Sequence, residues 1–583
     1  MVGNVILMRC VTSSSMKSIT IPTTAQSLGA LLKSARDIMR KDKGLNGDLD
    51  RLPMLTWIMF LKFLDDLEIQ REGEWKLVNQ TPGRTSSGLR PPSPQRGEGR
   101  FKPAIEPPYR WRDWAAKSDG ITGDELLAFI NSEEASLPNG KKGPGLFRYL
   151  RLLTSSDSAG VSDTRRDVIA TVFKGVQNRM VSGYLLRDVI NKLNGIHFTA
   201  SDELHTLGTL YESMLREMRD AAGDSGEFYT PRAVVRFMVT VTNPRLGETV
   251  MDPASGTGGF LVEAFNHLSQ QVKTVAHRKV LQEKSLFGCE PKTLPYLLCQ
   301  MNLLLHGLDA PQIDPGNSLR FKLTDIGERD RVDVILTNPP FGGEEEKGIQ
   351  GNFPEDKQTS ETAMLFLQLI MRKLRRQPHL ERGSPSRSTL AGKDASGLSE
   401  GSVAGEAAAG GTPALLYARA AVVVPNGTLF GDGVCARIKE ELLKEFNLHT
   451  IVRLPNGVFA PYFGIPTNLL FFDRSGPTRE VWYYEQPLPE GRKSYTKTAP
   501  IQFEEFAPLV SWWNKREENE QAWKVPAAEL LANGCNLDRK NPRAKDDITH
   551  LPPAQLAGDI LKKEQRIGEI MGNIQKLLAK HGT

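Results

Sequence analysis

The chain has 583 residues, of which 39% are hydrophobic and 25% charged, and its net charge is +5. At about 150 residues per domain this is a folded protein of three or four domains, and a mostly disordered or fibrous chain is excluded. No apolar run approaches the roughly 18 residues that a membrane span needs, and the apolar stretch at residues 5–8 is too short for a secretory leader, so a cytoplasmic protein without membrane contact is expected.

The first 25 residues carry no periodic pattern and read as a flexible tail; a second methionine, Met16, makes either position a possible start. Residues 26–195 read as a helical domain. Leu28, Leu31, Leu32, Ala35 and Met39 recur at helical spacing, and residues 55–67 are apolar nearly all round, as in a buried helix. Residues 80–108 interrupt this domain with Pro, Gly, Ser and Arg, too little apolar surface to offset chain entropy, and are expected to be a disordered insert. Much of the positive charge lies there: Arg84, Arg90, Arg96, Arg100 and Lys102 against Glu98. The remainder is close to neutral, a weak charge bias for a protein that would grip nucleic acid unaided.

From Gly247 onward, short β-branched runs alternate with helical stretches, which predicts an α/β domain with a mostly parallel sheet covered on both faces. Its span is placed at 196–480, with a Gly-, Ser- and Ala-rich disordered insert at about 377–412. Residues 481–583 form a C-terminal extension. In its last segment Ile560, Ile567 and Ile574 repeat every seven residues, with Met571 and Leu578 four residues after the last two, a short seam broken by Glu564. Such a helix either packs on its own domain or is offered to another subunit. Five cysteines form no CxxC pair and nine histidines no HExxH, so no metal site is expected.

Three motifs carry chemistry. Residues 250–261, VMDPASGTGGFL, read as a strand ending near Asp252, a tight turn through Gly256, Gly258 and Gly259, and the start of a helix. Missing side chains let a ligand approach the backbone, and a helix N-terminus offers free N–H groups. The Lys-Ser/Thr ending of a nucleoside-triphosphate loop is absent. Glu290 ends the next strand, where an acid can accept both hydroxyls of a ribose. Asn338, Pro339, Pro340 and Phe341 follow the strand VDVIL. Two prolines fix the backbone and remove donors, so the Asn338 side-chain carbonyl and the Pro339 carbonyl become two acceptors beside an aromatic ring. That arrangement suits a flat ring bearing an exocyclic amine, whose delocalised lone pair two acceptors can turn toward an electrophile.

The glycine turn, Glu290 and NPPF, in that order, resemble the adenine-N6 DNA methyltransferases, and the chain is similar above all to the modification subunits of type I restriction–modification systems. GEFYTPRAVVRFMV at 226–239, CEPKTLPYLLCQMNLLLHG at 289–307, GNSL at 316–319, VVVPNGTLF at 422–430 and IPTNLLFFDR at 465–474 carry the resemblance over most of residues 26–545. It implies a Rossmann-like domain that uses S-adenosyl-L-methionine. Glu227, Phe228, Tyr229, Thr230, Pro231 and Arg232, with Asp252, Ser255, Gly256, Thr257, Gly258 and Gly259, would surround the methionine part of that cofactor. Glu290 would bind its ribose, Asn317 would lie near its adenine, and Asn338 to Phe341 would hold the target adenine. The implied partners are double-stranded DNA, a specificity subunit, a second copy of the chain through that subunit, and a restriction subunit, with the C-terminal helix as the docking element. A methyltransferase for another planar amide, such as a protein glutamine, is the alternative enzyme; a non-catalytic scaffold of the same fold is the alternative outside catalysis.

Overall fold

The computed structural model describes residues 25–79, 101–154, 164–196, 230–380, 415–460, 466–496, 498–543 and 553–581. The expected N-terminal tail falls outside these residues, as do Glu227, Phe228 and Tyr229 and most of both inserts.

The N-terminal part is helical. Helix Ala25–Met39 buries Leu28, Leu32, Ala35 and Met39, the stripe that the spacing predicts. Helix Asp48–Asn79 is buried on every side from Met54 to Leu64 because it is enclosed by other helices and by the next domain. The insert ends earlier than its composition suggests. Residues 101–108 belong to the domain: Ala104 and Ile105 are buried, and the Ala104 amide donates to the Glu68 carboxylate at 3.2 Å. Proline-rich sequence there reflects a fixed backbone rather than solvation. A two-strand hairpin, Glu134–Ser136 with Lys142–Pro144, was not legible in the helical pattern.

The second part is a nine-stranded sheet. Its strands are β1 (Val250–Asp252), β2 (Leu286–Cys289), β3 (Gln312–Asp314), β4 (Val334–Thr337), β5 (Arg419–Pro425), β6 (Asn447–Arg453), β7 (Thr467–Asp473), β8 (Glu480–Glu485) and β9 (Ala522–Pro526). They lie in the order β9-β8-β6-β7-β5-β4-β1-β2-β3. Strands β3, β2, β1, β4 and β5 are mutually parallel, whereas β7 runs antiparallel to both β5 and β6, and β9 antiparallel to β8. The sheet therefore continues past 480, the boundary set by the last family-like block. Val481, Tyr483 and Trp523 are buried in its core, so residues up to at least Pro526 belong to the same layer rather than to an extension.

Helix Thr293–Leu305 joins the two parts. It packs on helix Asp48–Asn79, and Pro295 to Leu305 are all buried, which explains an apolar run without a polar face. At the start of β5, the middle strand of the sheet, Arg419 forms a bidentate pair with buried Glu248 (2.8 and 2.9 Å) and donates to the Thr242 and Asn243 carbonyls. That fork holds the C-terminus of helix Arg232–Thr242 against β5, and so sets where the helix begins.

On either side of the second insert, His379–Leu380 pairs antiparallel with Leu415–Leu416. The chain ends that a shorter connection must join are thus already adjacent. Replacing residues 383–412 by a four-residue Gly-Ser link should leave the melting temperature unchanged or slightly higher, because each halving of a loop lowers its closure cost by about 0.6 kcal/mol. A melting scan showing marked destabilisation would mean that the removed residues contribute packing.

Candidate active site

The sheet order reverses between β1 and β4. The chain leaves β1 toward β2 and β3 on one side, and leaves β4 toward β5 on the other. A crevice at the carboxyl ends of two such strands is where α/β sheets bind ligands. The last residues of the two strands are bonded across it: the Thr337 hydroxyl donates to Asp252 Oδ1 at 2.7 Å, both side chains being buried.

The turn after β1 is built on glycine. Gly256 has φ +53° and Gly258 φ +81°, a region that side chains rarely adopt, and a Cβ on Gly258 would come 2.8 Å from the Cys299 sulfur. Helix Gly259–Ser269 then starts with its amides at the crevice. Ser255 stitches β1 to β2: its hydroxyl donates to the Asp252 carbonyl at 2.9 Å and accepts the Cys289 amide at 3.0 Å. Glu290 holds the turn with one oxygen, which accepts the Gly256 amide at 2.9 Å, while the other accepts the Lys292 amide at 2.9 Å. The Thr257 carbonyl accepts from buried Asn302, and the Gly259 carbonyl from Arg232 at 2.7 Å. Asn317 caps the short helix Ser318–Arg320 through its carbonyl oxygen, and the Ser318 hydroxyl donates to the Pro253 carbonyl at 2.6 Å. The loop after β3 is thereby tethered beside the turn after β1.

The segment after β4 completes the crevice. Asn338 donates from Nδ2 to the Thr230 hydroxyl at 3.0 Å, which fixes the amide plane. Its Oδ1 is buried and accepts no hydrogen bond among the described residues. Pro339 is a buried residue, and no described residue donates to its carbonyl. The side-chain oxygens of Asn191, Gln300, Asn302 and Gln486 are also buried without a donor; Asn338 Oδ1 is set apart by the Pro339 carbonyl next to it and by its place at the carboxyl end of β4. Phe341 lies half-buried, edge-on to Phe459 with ring centroids 6.0 Å apart. Pro231 precedes helix Arg232–Thr242, so the start of that helix is what delivers Thr230 to Asn338.

Among the expected residues, Asp252, Ser255 to Gly259, Glu290, Asn317 and Asn338 to Phe341 thus share one edge of the sheet, joined by Thr230 and Arg232. Sequence reasoning missed the orienting bond from Asn338 to Thr230, the Asp252–Thr337 pair and the contact of Phe459. Only Phe459 left a trace, as an aromatic in the Pro- and Gly-containing connection after β6. Among the described residues no group of three His, Cys, Asp or Glu could hold a metal, and no helix is long and apolar enough to cross a membrane.

Burial pushes the Asp252 carboxyl up to about 7; the bonds from Thr337 and Ala254 pull it down and the Glu290 charge pushes it further up. Below about pH 3 the group is neutral in both the folded and unfolded chain. As pH rises toward 7 the unfolded chain ionises freely while the folded one resists, so stability falls across that window by up to about 4 kcal/mol and then levels. Asp252→Asn keeps the acceptor for Thr337 and removes the titration. The melting temperature of the variant relative to wild type should therefore climb between pH 4.5 and 7.5; parallel curves would mean that Asp252 stays ionised when buried.

The chain matches the N-6 DNA methylase family over residues 202–379 and 416–550, and the HsdM N-terminal domain over residues 28–193. It is 44% identical over 561 residues to the type I restriction enzyme EcoEI methylase subunit of Escherichia coli, covering 95% of this chain and 98% of that one. A chain from Vibrio vulnificus YJ016, described as a modification subunit of a type I restriction enzyme, shares 62% identity and superposes with a TM-score of 0.74, covering 91% of this chain and 99% of that one. A chain from a structure of a type I restriction–modification system, concerned with its assembly and conformational transition, shares 36% identity with a TM-score of 0.69, over 96% of this chain and 99% of that one. With the strand order, the glycine turn and NPPF at one switch point, these likenesses make the chain a member of the N-6 DNA methylase family, among the methylase subunits of type I restriction enzymes.

Proposed function

We propose that this chain methylates N6 of adenine in a specific double-stranded DNA sequence, with S-adenosyl-L-methionine as donor, as the modification subunit of a cytoplasmic type I restriction–modification complex. The observation that carries this reading is the pair of undonated carbonyls, Asn338 Oδ1 and Pro339 O, beside Phe341. An adenine amino group has two hydrogens, and these two acceptors match them.

The crevice also fits the cofactor. Glycine at 256 and 258 leaves the turn bare of side chains, and the Glu290 carboxylate stands against that turn at the end of β2, where an acid suits ribose hydroxyls. Asn317, whose side-chain carbonyl is used in capping, keeps its amide nitrogen as a donor type that suits the cofactor's adenine. Ser255 to Gly259 and Thr230 to Arg232 are the described residues assigned to the methionine part. When bound, S-adenosylmethionine supplies a methyl group on a positively charged sulfur, an electrophile that needs no covalent enzyme intermediate. Asn338 and Pro339 accept the amino hydrogens and draw the nitrogen lone pair out of the ring plane, toward the glycine turn. Thr230 keeps the Asn338 carbonyl aimed, and Phe341, braced by Phe459, stacks on the base. Adenine inside a duplex cannot reach this crevice and must be flipped out.

Duplex grip comes from partners. Glu344 and Glu346 are exposed just after NPPF and repel phosphate. Helix Pro553–His581, by contrast, presents an apolar face: Ile560 is 57% exposed, Ile567 60%, Met571 53% and Ile574 42%. These are the seam positions read from the sequence, and their exposure argues against packing on the chain's own domain. A helix seam gains stability only when a second helix covers it, and the specificity subunit is the partner assigned to it here. A restriction subunit and a second copy of this chain, joined through the specificity subunit, complete the assembly.

Asn338→Ala should lower methyl transfer by about 10²–10³-fold, the usual cost of one group that acts at the transition state, while cofactor affinity stays near wild type. Wild-type methylation by this variant would end the assignment. The double change Ile567→Asp, Ile574→Asp should abolish co-purification with the specificity subunit and, with it, DNA methylation, leaving cofactor binding intact. Assembly that survives the double change would place the docking surface elsewhere.

A further inference from the structure

A second element stands on the rim of the crevice. β5 is parallel to β4, so the turn that follows β5 rises from the same sheet edge as NPPF. It begins at Asn426, whose amide donates to the Pro466 carbonyl at 2.9 Å and whose side-chain oxygen accepts from Asn468. Phe459, the ring against Phe341, belongs to the same connection between β6 and β7 as Pro466. On the far side, helix Val434–Glu445 leaves the turn with Cys435 against the Glu361 carboxylate at 3.7 Å, and the neighbouring Thr362 hydroxyl donates to the Gly343 carbonyl, two residues past Phe341. The turn is therefore tied to the NPPF segment through Glu361 and Thr362.

Its tip is Phe430, half-exposed between fully anchored neighbours. The Lys439 ammonium is buried, and it donates to the Leu429 carbonyl at 2.9 Å and to the Gly431 carbonyl at 2.8 Å, the carbonyls of the residues on either side of Phe430. Leu429 is itself buried, and its carbonyl also accepts the Leu537 amide. Burying an ammonium is costly unless its hydrogen bonds are made, so the turn is held rigid at a price in desolvation. A rigid mount with an apolar ring turned to solvent suits a ring that meets something flat. Single exposed hydrophobics are otherwise unremarkable, and it is the mount and the position that single this one out.

Resting on the methyltransferase reading above, we propose that Phe430 is a stacking wedge for the DNA substrate: it enters the space left in the duplex when the target adenine swings into the NPPF crevice. Flipping a base leaves its neighbours unstacked, and an inserted apolar side chain offsets part of that cost. The wedge acts on base extrusion and leaves the methyl transfer step itself to the NPPF segment.

The test uses the complex assembled with its specificity subunit, and duplexes carrying the adenine found methylated in mapping of host DNA. Phe430→Ala should slow methylation of the matched duplex by about ten-fold or more, the range for loss of one base–aromatic stack, with cofactor affinity unchanged. A mismatch opposite the target adenine, which makes flipping cheap, should restore the variant to within about three-fold of wild type, and Phe430→Trp should retain activity. With 2-aminopurine in place of the target adenine, the fluorescence rise on binding should be smaller for Phe430→Ala than for wild type. Full activity of Phe430→Ala on the matched duplex would overturn the wedge. So would an equal loss on matched and mismatched duplexes, or a loss of assembly, which would make Phe430 a subunit contact. If wild-type complex methylates no adenine, the methyltransferase reading fails as well, an outcome visible before any variant is compared.

Discussion

The hydrogen bond from Thr337 to Asp252 ties together the two halves of the crevice. It joins the last residue of β4 to the last residue of β1, across the point where the strand order reverses. The glycine turn follows one of these residues and NPPF follows the other, so this buried contact of 2.7 Å, at the end of the paired strands, fixes where both segments start. Placing a carboxyl there has an electrostatic cost, visible in the raised affinity of Asp252 for its proton. The hydroxyl of Thr337 and the amide of Ala254 offset that cost by donating to the same oxygen. Methyl transfer in line depends on donor and acceptor atoms meeting at a fixed distance, and displacements of about 1 Å are enough to cost large factors in rate.

Around this contact the chain arranges orientation in successive layers. Arg419 fixes the end of helix Arg232–Thr242; the start of that helix brings Thr230 to Asn338; and Thr230 fixes the plane of the Asn338 amide. Glu290 and Ser255 do the same for the glycine turn, using carboxylate and hydroxyl to fix backbone amides. The outer elements, by comparison, face away from the chain. The exposed seam of helix Pro553–His581 and the exposed Glu344 and Glu346 beside NPPF are the features on which the proposed docking of partners rests.

What could be read from the sequence was what needs particular backbone chemistry. Gly256 and Gly258 are legible because left-handed backbone excludes other residues, and Asn338 to Phe341 because consecutive prolines strip away donors. The helical stripe through Leu28 and Met39 is legible through its period. The pairs that set distances were invisible. Asp252 and Thr337 are 85 positions apart, and Thr230 and Asn338 are 108 apart. No local pattern says which short polar side chains will meet. Composition misled in two places. Prolines around Ala104 and Ile105 suggested solvated chain where the backbone is packed, and the end of the familiar motifs near 474 hid β8 and β9, whose Val481, Tyr483 and Trp523 complete the sheet.

The central claim is that Asn338 and Pro339 receive the amino group of a flipped adenine. A structure of the assembled enzyme with its target duplex and sinefungin, an unreactive analogue of the donor, tests it most directly. The amino nitrogen of the extruded adenine should lie about 3 Å from both Asn338 Oδ1 and the Pro339 carbonyl, with Phe341 stacked on the ring. A target base that remains stacked in the duplex, or an amino group bonded to other residues while these two carbonyls stay without a donor, would contradict it.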